Sequence, residues 1–321
     1  MSAAANESEH TLLEIVDLCH NSEPHLDPSL HPFIVDSRRY GYLPNSVFQA
    51  VERELAASQS SVQPRPLEIV PASASLKTTL PGITFTETCS KPEERSAALQ
   101  ALAEKWRSEK KFPYPLDGWR NELYAVWGPN HQIAFRLERA ACALFGVATF
   151  GVHMTAYTPD MQVWIPRRAA NKPTWPSYLD NTAAGGITAG EPPGESMVRE
   201  SWEEAGFSED LVRKHLKATG VITYVYTTPE GLVQPECEYT YDLALPSADI
   251  VPNPVDGEAE AFELYTFEQT MRLIRQAKFK PNCALVLIDF YIRHGLITPE
   301  NEPDYIEIVA KMHTSFGLPM P

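Results

Sequence analysis

The hydrophobic pattern of residues 92–112 is that of an amphipathic helix. Ala98, Leu102 and Trp106 recur every four residues among charged side chains, which places them on one face of an α-helix. A second stretch of helical composition covers residues 45–58, and a proline- and serine-rich stretch between the two covers residues 60–82. We expect this middle stretch to form a loop or to lie extended.

From about residue 150 the pattern changes to strands with helices between them. Segments that alternate, or that are rich in β-branched and aromatic residues, predict strands; they cover residues 151–158, 162–168, 220–228, 237–245 and 261–267. Later segments predict helices at 268–279, 283–295 and 304–313, and Gly295 is placed to end the second of these. The pattern predicts an α+β protein with a boundary near residue 145.

The length of the chain allows more than one domain. It has 321 residues, of which 43% are hydrophobic, and this is enough for a substantial core. We divide it into an N-terminal segment, 1–30, that is poorly ordered or helical, a smaller α/β domain, 31–145, and a larger domain, 146–321. The sequence contains no internal repeats.

Charge and cysteine content exclude several classes of function. The net charge of −15 argues against a nucleic-acid partner, because phosphate backbones are bound by clusters of lysine and arginine. An anionic small molecule remains possible if metal cations mediate the contact. No apolar run is long enough to span a membrane, and the acidic N-terminus resembles neither a signal nor a transit peptide. With five widely spaced cysteines, we expect reduced thiols and a cytoplasmic location. The sequence leaves the oligomeric state open.

Residues 185–207, GGITAGEPPGESMVRESWEEAGF, combine a glycine-rich turn with crowded carboxylates. If the second part is a helix that ends at Gly206, then Glu200, Glu203 and Glu204 project from one face. Like charges on one face destabilise an isolated helix by about a few tenths of a kcal/mol per pair, whereas a hard cation such as Mg²⁺ reverses that sign. A solvated acidic face is the alternative for these three glutamates taken alone.

The spacing of the whole segment is a more specific pattern than the three glutamates alone. The glycine and charged positions follow the pattern G-x5-E-x7-R-E-U-x-E-E-x-G-U and are Gly185, Glu191, Arg199, Glu200, Glu203, Glu204 and Gly206. This spacing resembles the Nudix box. One position departs from the pattern, because Ser201 stands where an aliphatic residue is usual. That residue would pack the helix on the sheet, so the departure puts this packing in doubt and leaves the metal ligands unaffected.

The resemblance implies a fold and a reaction. The Nudix fold is a mixed β-sheet sandwiched between helices, with the box as a loop-helix-loop, and the family hydrolyses organic diphosphates. The resemblance further implies Mg²⁺, or Mn²⁺, as the cofactor. The metal ligands it implies are Glu200, Glu203 and Glu204, and we expect the glycine-rich segment to let Glu191 fold over toward the same metals.

The catalytic residues implied by the resemblance are Glu203, Glu204 and Arg199. We expect Arg199 to hold a carboxylate in place by an ion pair, while a glutamate accepts the proton of the attacking water. Glu203 is one candidate for this base, and an acid of a later loop, Glu258 or Glu260, is another. For the two loop residues a solvated acidic loop is an equal alternative.

The flanking sequences narrow the resemblance to one Nudix branch. They include LDGWRNELYAVW (116–127), VWIPRRAANKPTWPSYLDNTAAGGI (163–187) and KFKPNCALVLIDFYIRHGLITPENEPDY (278–305). In that branch an N-terminal domain of uncharacterised type precedes the hydrolase domain, and some members are fused to thiamine pyrophosphokinase. The resemblance implies hydrolysis of thiamine diphosphate, and more readily of oxidised forms such as oxo-thiamine diphosphate, to the monophosphate. The implied role is the clearance of damaged cofactor.

Residues beside the box are candidates for ligand binding. Gly185 and Gly186 allow the backbone to approach closely, and Arg167, Arg168 and Lys172 could meet phosphate oxygens. Trp175 could stack on a flat aminopyrimidine ring, as could its neighbours in sequence Trp164 and Tyr178. A cationic thiazolium would add about 0.5–2 kcal/mol of cation–π energy, which a neutral oxidised ring would lose. Ordinary packing, or a solvated basic cluster, is the alternative for each.

Other functions compete with this interpretation. A Nudix enzyme for another diphosphate, such as NADH, ADP-ribose or a CoA species, has the same box. An isopentenyl-diphosphate isomerase has a related box, but it requires a catalytic cysteine and a histidine-rich metal site that this sequence does not indicate. A binding module without activity would be expected to have lost the glutamates. We also hypothesise that the N-terminal domain forms one wall of the ligand pocket.

Overall fold

The structure, a computed structural model, describes residues 9–57, 65–73 and 78–321. Its helices, in chain order, are α1 (Leu12–Cys19), α2 (Asn45–Ala57), α3 (Pro92–Ser108), α4 (Pro113–Leu116), α5 (Cys142–Phe145), α6 (Pro193–Ala205), α7 (Glu209–His215), α8 (Phe267–Arg275), α9 (Pro281–Arg293) and α10 (Tyr305–Lys311). Its strands are β1 (His31–Val35), β2 (Arg38–Leu43), β3 (Leu67–Val70), β4 (Gly82–Phe85), β5 (Leu123–Trp127), β6 (Ile133–Glu138), β7 (Thr149–Tyr157), β8 (Val163–Arg168), β9 (Ala183–Gly186), β10 (Leu216–Thr227), β11 (Val233–Ala244) and β12 (Ala259–Tyr265). Within these residues, no helix combines the length and the apolar character that a membrane span requires.

The N-terminal unit contains a four-stranded sheet in the order β2-β1-β4-β3 and the separate hairpin β5–β6. Helix α3 packs on this hairpin. Its fully buried residues are Leu99, Ala103 and Trp106, whereas Ala98 and Leu102 are only partly buried. The buried residues therefore follow the helical repeat, but the buried face is rotated slightly around the helix axis from the predicted face. Strand β3 lies within the stretch 60–82, part of which falls outside the described residues.

The second unit is built on a mixed sheet in the order β10-β11-β7-β8-β12, with β9 paired to β7. Strands β7 and β11 are parallel, and the other neighbours are antiparallel. Alternate residues of β7 face opposite layers: Val152 and Met154 pack on the side of α6, whereas His153 faces the side of α9. A mixed sheet between two helical layers is the predicted α+β architecture, which is thereby confirmed.

Helix α1 belongs to the second unit in space, although it precedes the first unit in sequence. A capping box at Thr11 begins the helix. Its buried residues Leu12, Ile15, Val16 and Cys19 pack with α9 and α10. Part of the predicted N-terminal segment 1–30 is thus helical and packed, while residues 1–8 lie outside the described part of the chain.

The two units meet where β5 runs beside the segment that follows β9. The backbone N–H of Ala189 donates to the carbonyl oxygen of Leu123 at 2.8 Å. The hydroxyl of Thr188 donates to Glu122 Oε1 at 3.1 Å. The N-terminal unit therefore borders the glycine-rich segment that leads into α6.

Candidate active site

Helix α6 carries the crowded carboxylates. It begins at Pro193 and ends before Gly206, whose φ of 67° is the left-handed conformation that favours glycine after a helix. Ser201 is fully buried on this helix, and its hydroxyl donates to the carbonyl oxygen of Met197 at 2.6 Å. The serine that departs from the family pattern is thus satisfied within the helix itself.

The guanidinium group of Arg199 holds three of the four predicted metal ligands. Its Nε and Nη2 donate to the two oxygens of Glu191, each at 3.0 Å. Its Nη1 donates to Glu200 at 2.8 Å and to Glu203 at 2.9 Å. A planar fork of five donors suits such an arrangement. Arg199 therefore orients these carboxylates, which is the ion-pair role expected from the sequence.

The two glycines at the end of β9 leave room for side chains on both faces of the strand. A Cβ at Gly185 would overlap the carboxylate of Glu200, and a Cβ at Gly186 would overlap the hydroxyl of Tyr124. Arg199 holds the Glu200 carboxylate, and the Tyr124 side chain is buried. The absence of a Cβ at these positions thus lets α6 approach β9 on one face and the N-terminal unit approach it on the other.

An acidic cluster forms where α6 faces the loop before β12. One carboxylate oxygen from each of Glu204, Asp256 and Glu258 lies within 4.8 Å of the others. Glu204 also accepts the backbone N–H of Ala184 at 2.7 Å, so it lies along the edge of β9. Of the four predicted metal ligands, the described residues place Glu204 in this cluster, and the other three meet at the guanidinium of Arg199.

The environment of these carboxylates favours a bound cation. Burial, together with the charges of Asp180 and Glu200, raises the pKa of Glu204 well above its usual value. Burial also raises the pKa of Glu200, although Arg199 opposes this. Carboxylate oxygens are the donors that Mg²⁺ and Mn²⁺ prefer, and the cluster offers one from each of three side chains. The donor set therefore fits a hard divalent ion.

The basic residues upstream of the box are already engaged. Lys172 forms an ion pair with Glu258 at 2.5 Å, so it lies beside the acidic cluster. Arg168 pairs with Asp180 and donates to the carbonyl oxygen of Trp175 at 3.0 Å. Arg167 donates to a backbone carbonyl of the same loop. Lys172 is thus close to the cluster, whereas the two arginines fix the loop that carries Trp175.

A cavity of about 410 Å³ lies beside this loop. Trp175 and Tyr178 meet edge to face, with ring centroids 5.1 Å apart. The cavity is largely aromatic and aliphatic; its lining includes Ile15, Leu18, Trp175, Tyr178, Tyr226 and Phe279. Trp164, by contrast, is buried in the core next to α6. The structure therefore places two of the three candidate aromatic residues, Trp175 and Tyr178, at a cavity. Helix α1 forms one wall of this cavity, which the sequence did not predict.

Two residues near the box were missed by sequence reasoning. Asp256 stands in the same loop as Glu258, in the sequence VDGEAEAF, and a third acid at this spacing was a signal that could have been used. Tyr124 comes from the N-terminal unit, and no local pattern relates it to Gly186. Its position follows only from the packing of the two units.

Comparison with known families agrees with this geometry. A model of the NUDIX domain matches residues 149–284, which contain β7, the acidic cluster and α6. Residues 149–284 of the chain are therefore a NUDIX domain. A second model, a domain of unknown function (DUF4743), matches residues 11–149. The NUDIX domain and the relatives named Nudix hydrolases support a hydrolase that acts on diphosphate bonds, and Nudix hydrolases generally use divalent ions such as Mg²⁺ or Mn²⁺.

Similar proteins include two curated relatives and a solved structure. The uncharacterized protein YJR142W of Saccharomyces cerevisiae is 42% identical over 244 residues, which are 71% of this chain and 70% of that protein. Nudix hydrolase 20, chloroplastic, of Arabidopsis thaliana is 36% identical over 235 residues, 72% of this chain and 61% of that protein. The crystal structure of DR0079 from Deinococcus radiodurans is 22% identical and covers 52% of this chain and 98% of its own, with a TM-score of 0.40.

Proposed function

We propose that this Nudix hydrolase is a Mg²⁺-dependent diphosphatase that converts thiamine diphosphate, and oxidised forms such as oxo-thiamine diphosphate, to the monophosphate and phosphate. The observation that carries the proposal is the acidic cluster of Glu204, Asp256 and Glu258. Its Glu258 pairs with Lys172, three residues before Trp175, which lines an aromatic cavity. The cluster supports action on a diphosphate. The cavity supports a ring-bearing organic group as the other part of the substrate.

Glu204, Asp256 and Glu258 would hold the metal, with Arg199 orienting Glu200 and Glu203 beside them. A bound Mg²⁺ would neutralise the diphosphate and lower the pKa of a coordinated water. Lys172 keeps one positive charge next to Glu258, where it can also meet a phosphate oxygen. These residues bring the diphosphate to one edge of β9.

Glu203 is the base that we propose. Its Oε2 accepts from Arg199, and its Oε1 has no hydrogen-bond partner in the parts of the chain that the structure describes. Glu258 is engaged by Lys172, and Glu260 accepts the backbone N–H of Ala170 at 3.0 Å. Glu203 takes a proton from water as the water oxygen bonds to phosphorus and the bridging P–O bond breaks.

The organic half of the substrate would occupy the cavity beside Trp175 and Tyr178. Its volume of about 410 Å³ is in the range of small-molecule sites, and the two rings offer faces on which a heteroaromatic group can stack. An oxidised, neutral ring would lack the cation–π term of a thiazolium. A preference for oxidised forms must therefore come from shape and hydrogen bonding.

Product analysis with the purified protein and Mg²⁺ tests the proposal. The panel contains oxo-thiamine diphosphate, thiamine diphosphate, NADH, ADP-ribose and CoA. We expect the thiamine-type diphosphates to be converted fastest to monophosphates, Glu204→Gln to be inactive, and Glu195→Gln, an exposed acid on the same helix, to behave as wild type. Turnover of NADH or ADP-ribose alone would discard the thiamine assignment and keep the Nudix one. A protein that hydrolyses none of the five would contradict the proposed activity altogether.

The biological setting is part of the same proposal. Clearance of damaged thiamine cofactor and a cytoplasmic location remain predictions. A plant relative is named chloroplastic, so the compartment of this chain must be measured. Fractionation of cells that express the full chain, followed by detection of the protein, is the direct measurement.

A further inference from the structure

The ammonium group of Lys172 is held at the edge of the acidic cluster. Its Nζ lies 2.5 Å from Oε2 of Glu258, and a carboxylate oxygen of Glu258 also lies within 4.8 Å of oxygens of Glu204 and Asp256. The side chain of Lys172 is only 13% exposed, and lysines are rarely buried to this extent unless they are paired. Glu258 therefore belongs both to an ion pair and to the candidate metal site.

The other charges near the cluster already have partners. Besides its burial, three neighbouring acids raise the pKa of Glu204, and each of these acids forms an ion pair: Asp180 with Arg168, Glu200 with Arg199, and Glu258 with Lys172. Within the described part of the chain, Glu204 and Asp256 form no ion pair and accept backbone N–H groups instead. Of these three basic residues, Lys172 is thus the one that pairs with a member of the cluster.

Lys172 can change its partner more easily than the two arginines. Arg168 and Arg199 are each fixed by several acceptors. The Nζ of Lys172 has Glu258 as its one partner among the described residues, and it is carried on a flexible stem with rotatable donors. The neighbouring backbone is attached independently, because the N–H of Ala169 donates to the carbonyl oxygen of Glu258 at 2.9 Å. The ammonium group can therefore move while the loop stays in place.

A divalent cation at the cluster would weaken the ion pair between Lys172 and Glu258. A bound divalent cation is often the largest charge in its site and reverses the electrostatics around it. It would share the carboxylate of Glu258 and repel the ammonium group, because like charges close together repel strongly where solvent is partly excluded. The positive charge of Lys172 should therefore oppose binding of the cation.

A phosphate group on the same cation would lie within reach of the released ammonium group. The oxygen ligands of one Mg²⁺ ion lie about 3–4 Å from one another, since each is about 2.1 Å from the ion. A phosphate oxygen on the cation that Glu258 binds would thus be a neighbour of the oxygen that Lys172 leaves. Lysine binds phosphate groups readily as a point charge. The charge of Lys172 should therefore favour binding of the anion.

We infer that Lys172 is a counter-ion that exchanges partners: it pairs with Glu258 before the divalent cation binds and with a phosphate oxygen of the substrate afterwards. The inference rests on the metal site of the proposed function but not on a thiamine ring. It goes beyond that function because one side chain has opposite effects on two ligands. Lys172 thereby makes tight binding of the diphosphate depend on the cation.

Calorimetric titration with Mg²⁺ alone tests the first half of the inference. Lys172→Met removes the charge and keeps much of the stem, and Lys172→Gln is a second neutral variant. We expect both to bind Mg²⁺ about 3- to 10-fold more tightly than the wild type. Lys172→Arg, which restores the charge, should return the affinity toward the wild-type value. Lys214→Met removes the same charge from an exposed position of α7 and should bind Mg²⁺ as the wild type does.

Titration with methylenediphosphonate tests the second half. This diphosphate analogue has carbon in place of the bridging oxygen, so its binding can be measured without hydrolysis. In saturating Mg²⁺ we expect Lys172→Met to bind the analogue about 5- to 20-fold more weakly than the wild type, and Lys172→Arg and Lys214→Met to remain close to the wild type. Without Mg²⁺, the wild type and Lys172→Met should bind it equally poorly.

The opposite signs distinguish this exchange from a structural role, because loss of a merely structural lysine would weaken both ligands. Neutral variants that bind Mg²⁺ no more tightly than the wild type, or that bind the analogue equally well, would overturn the inference. A wild-type protein that binds neither ligand would overturn the proposed function as well. If both expected changes are measured and no diphosphate of the panel is hydrolysed, the exchange at Lys172 stands and the proposed reaction fails.

Discussion

Replacing Glu204 by glutamine should make the metal-free protein more stable while removing its response to Mg²⁺. The amide keeps the size of the side chain and an oxygen that can accept the N–H of Ala184. It removes one negative charge from the cluster with Asp256 and Glu258. The variant therefore changes electrostatics and leaves packing almost unaltered.

The separation of the carboxylate oxygens sets the size of the expected gain in stability. Carboxylate oxygens within 4.8 Å of one another repel by at least about 3.5 kcal/mol for each ionised pair at an effective dielectric constant near 20. Asp256 is exposed, and protonation and relaxation relieve part of the repulsion. We therefore expect a net gain of about 1–2 kcal/mol in the metal-free variant, or roughly 2–3 °C in Tm for a chain of this size.

Thermal unfolding with EDTA and with a Mg²⁺ series measures both effects. Wild type should gain stability with metal, by about 2.7 kcal/mol at one hundred times Kd, and Glu204→Gln should not. Glu195→Gln, which removes a charge from an exposed position of the same helix, should keep the wild-type response. A Glu204→Gln protein that is less stable without metal, or equally stabilised by Mg²⁺, would refute the argument that these carboxylates are crowded in order to share a cation.

Three further predictions follow from single side chains. Arg199→Lys keeps the charge but cannot hold three carboxylates at once, so apparent Mg²⁺ affinity should fall about 10- to 100-fold in a metal titration of turnover; an unchanged titration would contradict its positioning role. Gly185→Ala should abolish turnover because its Cβ overlaps Glu200, whereas Gly194→Ala, which meets open space, should remain active in the same assay. Partial burial raises the pKa of Glu54, but hydrogen bonds from two lysines and a tryptophan outweigh it and lower the pKa to about 2; this stabilisation is present above pH 4.5 and is lost as pH falls toward 2. Glu54→Gln should therefore cost about 1–2 kcal/mol at pH 7 after allowance for solvent screening, and a Tm difference that persists at pH 2 would contradict this.

Local patterns predicted the elements that carry the box. The composition around Glu200 and Glu204 predicts a helix that ends at Gly206, and the structure places α6 there. Strand patterns from residue 151 onward likewise correspond to β7, β8, β10, β11 and β12. These predictions depend on side-chain periodicity over short ranges, which the sequence displays directly.

Contacts between distant segments could not be predicted in the same way. Asp256 reaches Glu204 from a loop some fifty residues away, and Tyr124 meets Gly186 from another unit. Both depend on how strands are ordered and how two units pack, and periodicity carries no information about either. The roles of Arg167 and Arg168 as anchors of the loop that carries Trp175 depend on backbone carbonyls, which a sequence pattern does not reveal.

The packing of α1 on α9 has a consequence for synthesis on the ribosome. Roughly 260 residues separate the two helices, and at 5–20 residues per second the later one emerges about 15–50 s after the first. During that time the apolar side of α1 has no partner, while residues 31–145 can already fold. Helix α1 therefore remains unpacked, linked to the folded N-terminal unit, until α9 has been synthesised. A recombinant fragment that starts at residue 146 would lack this helix and expose the surface that it covers on α9.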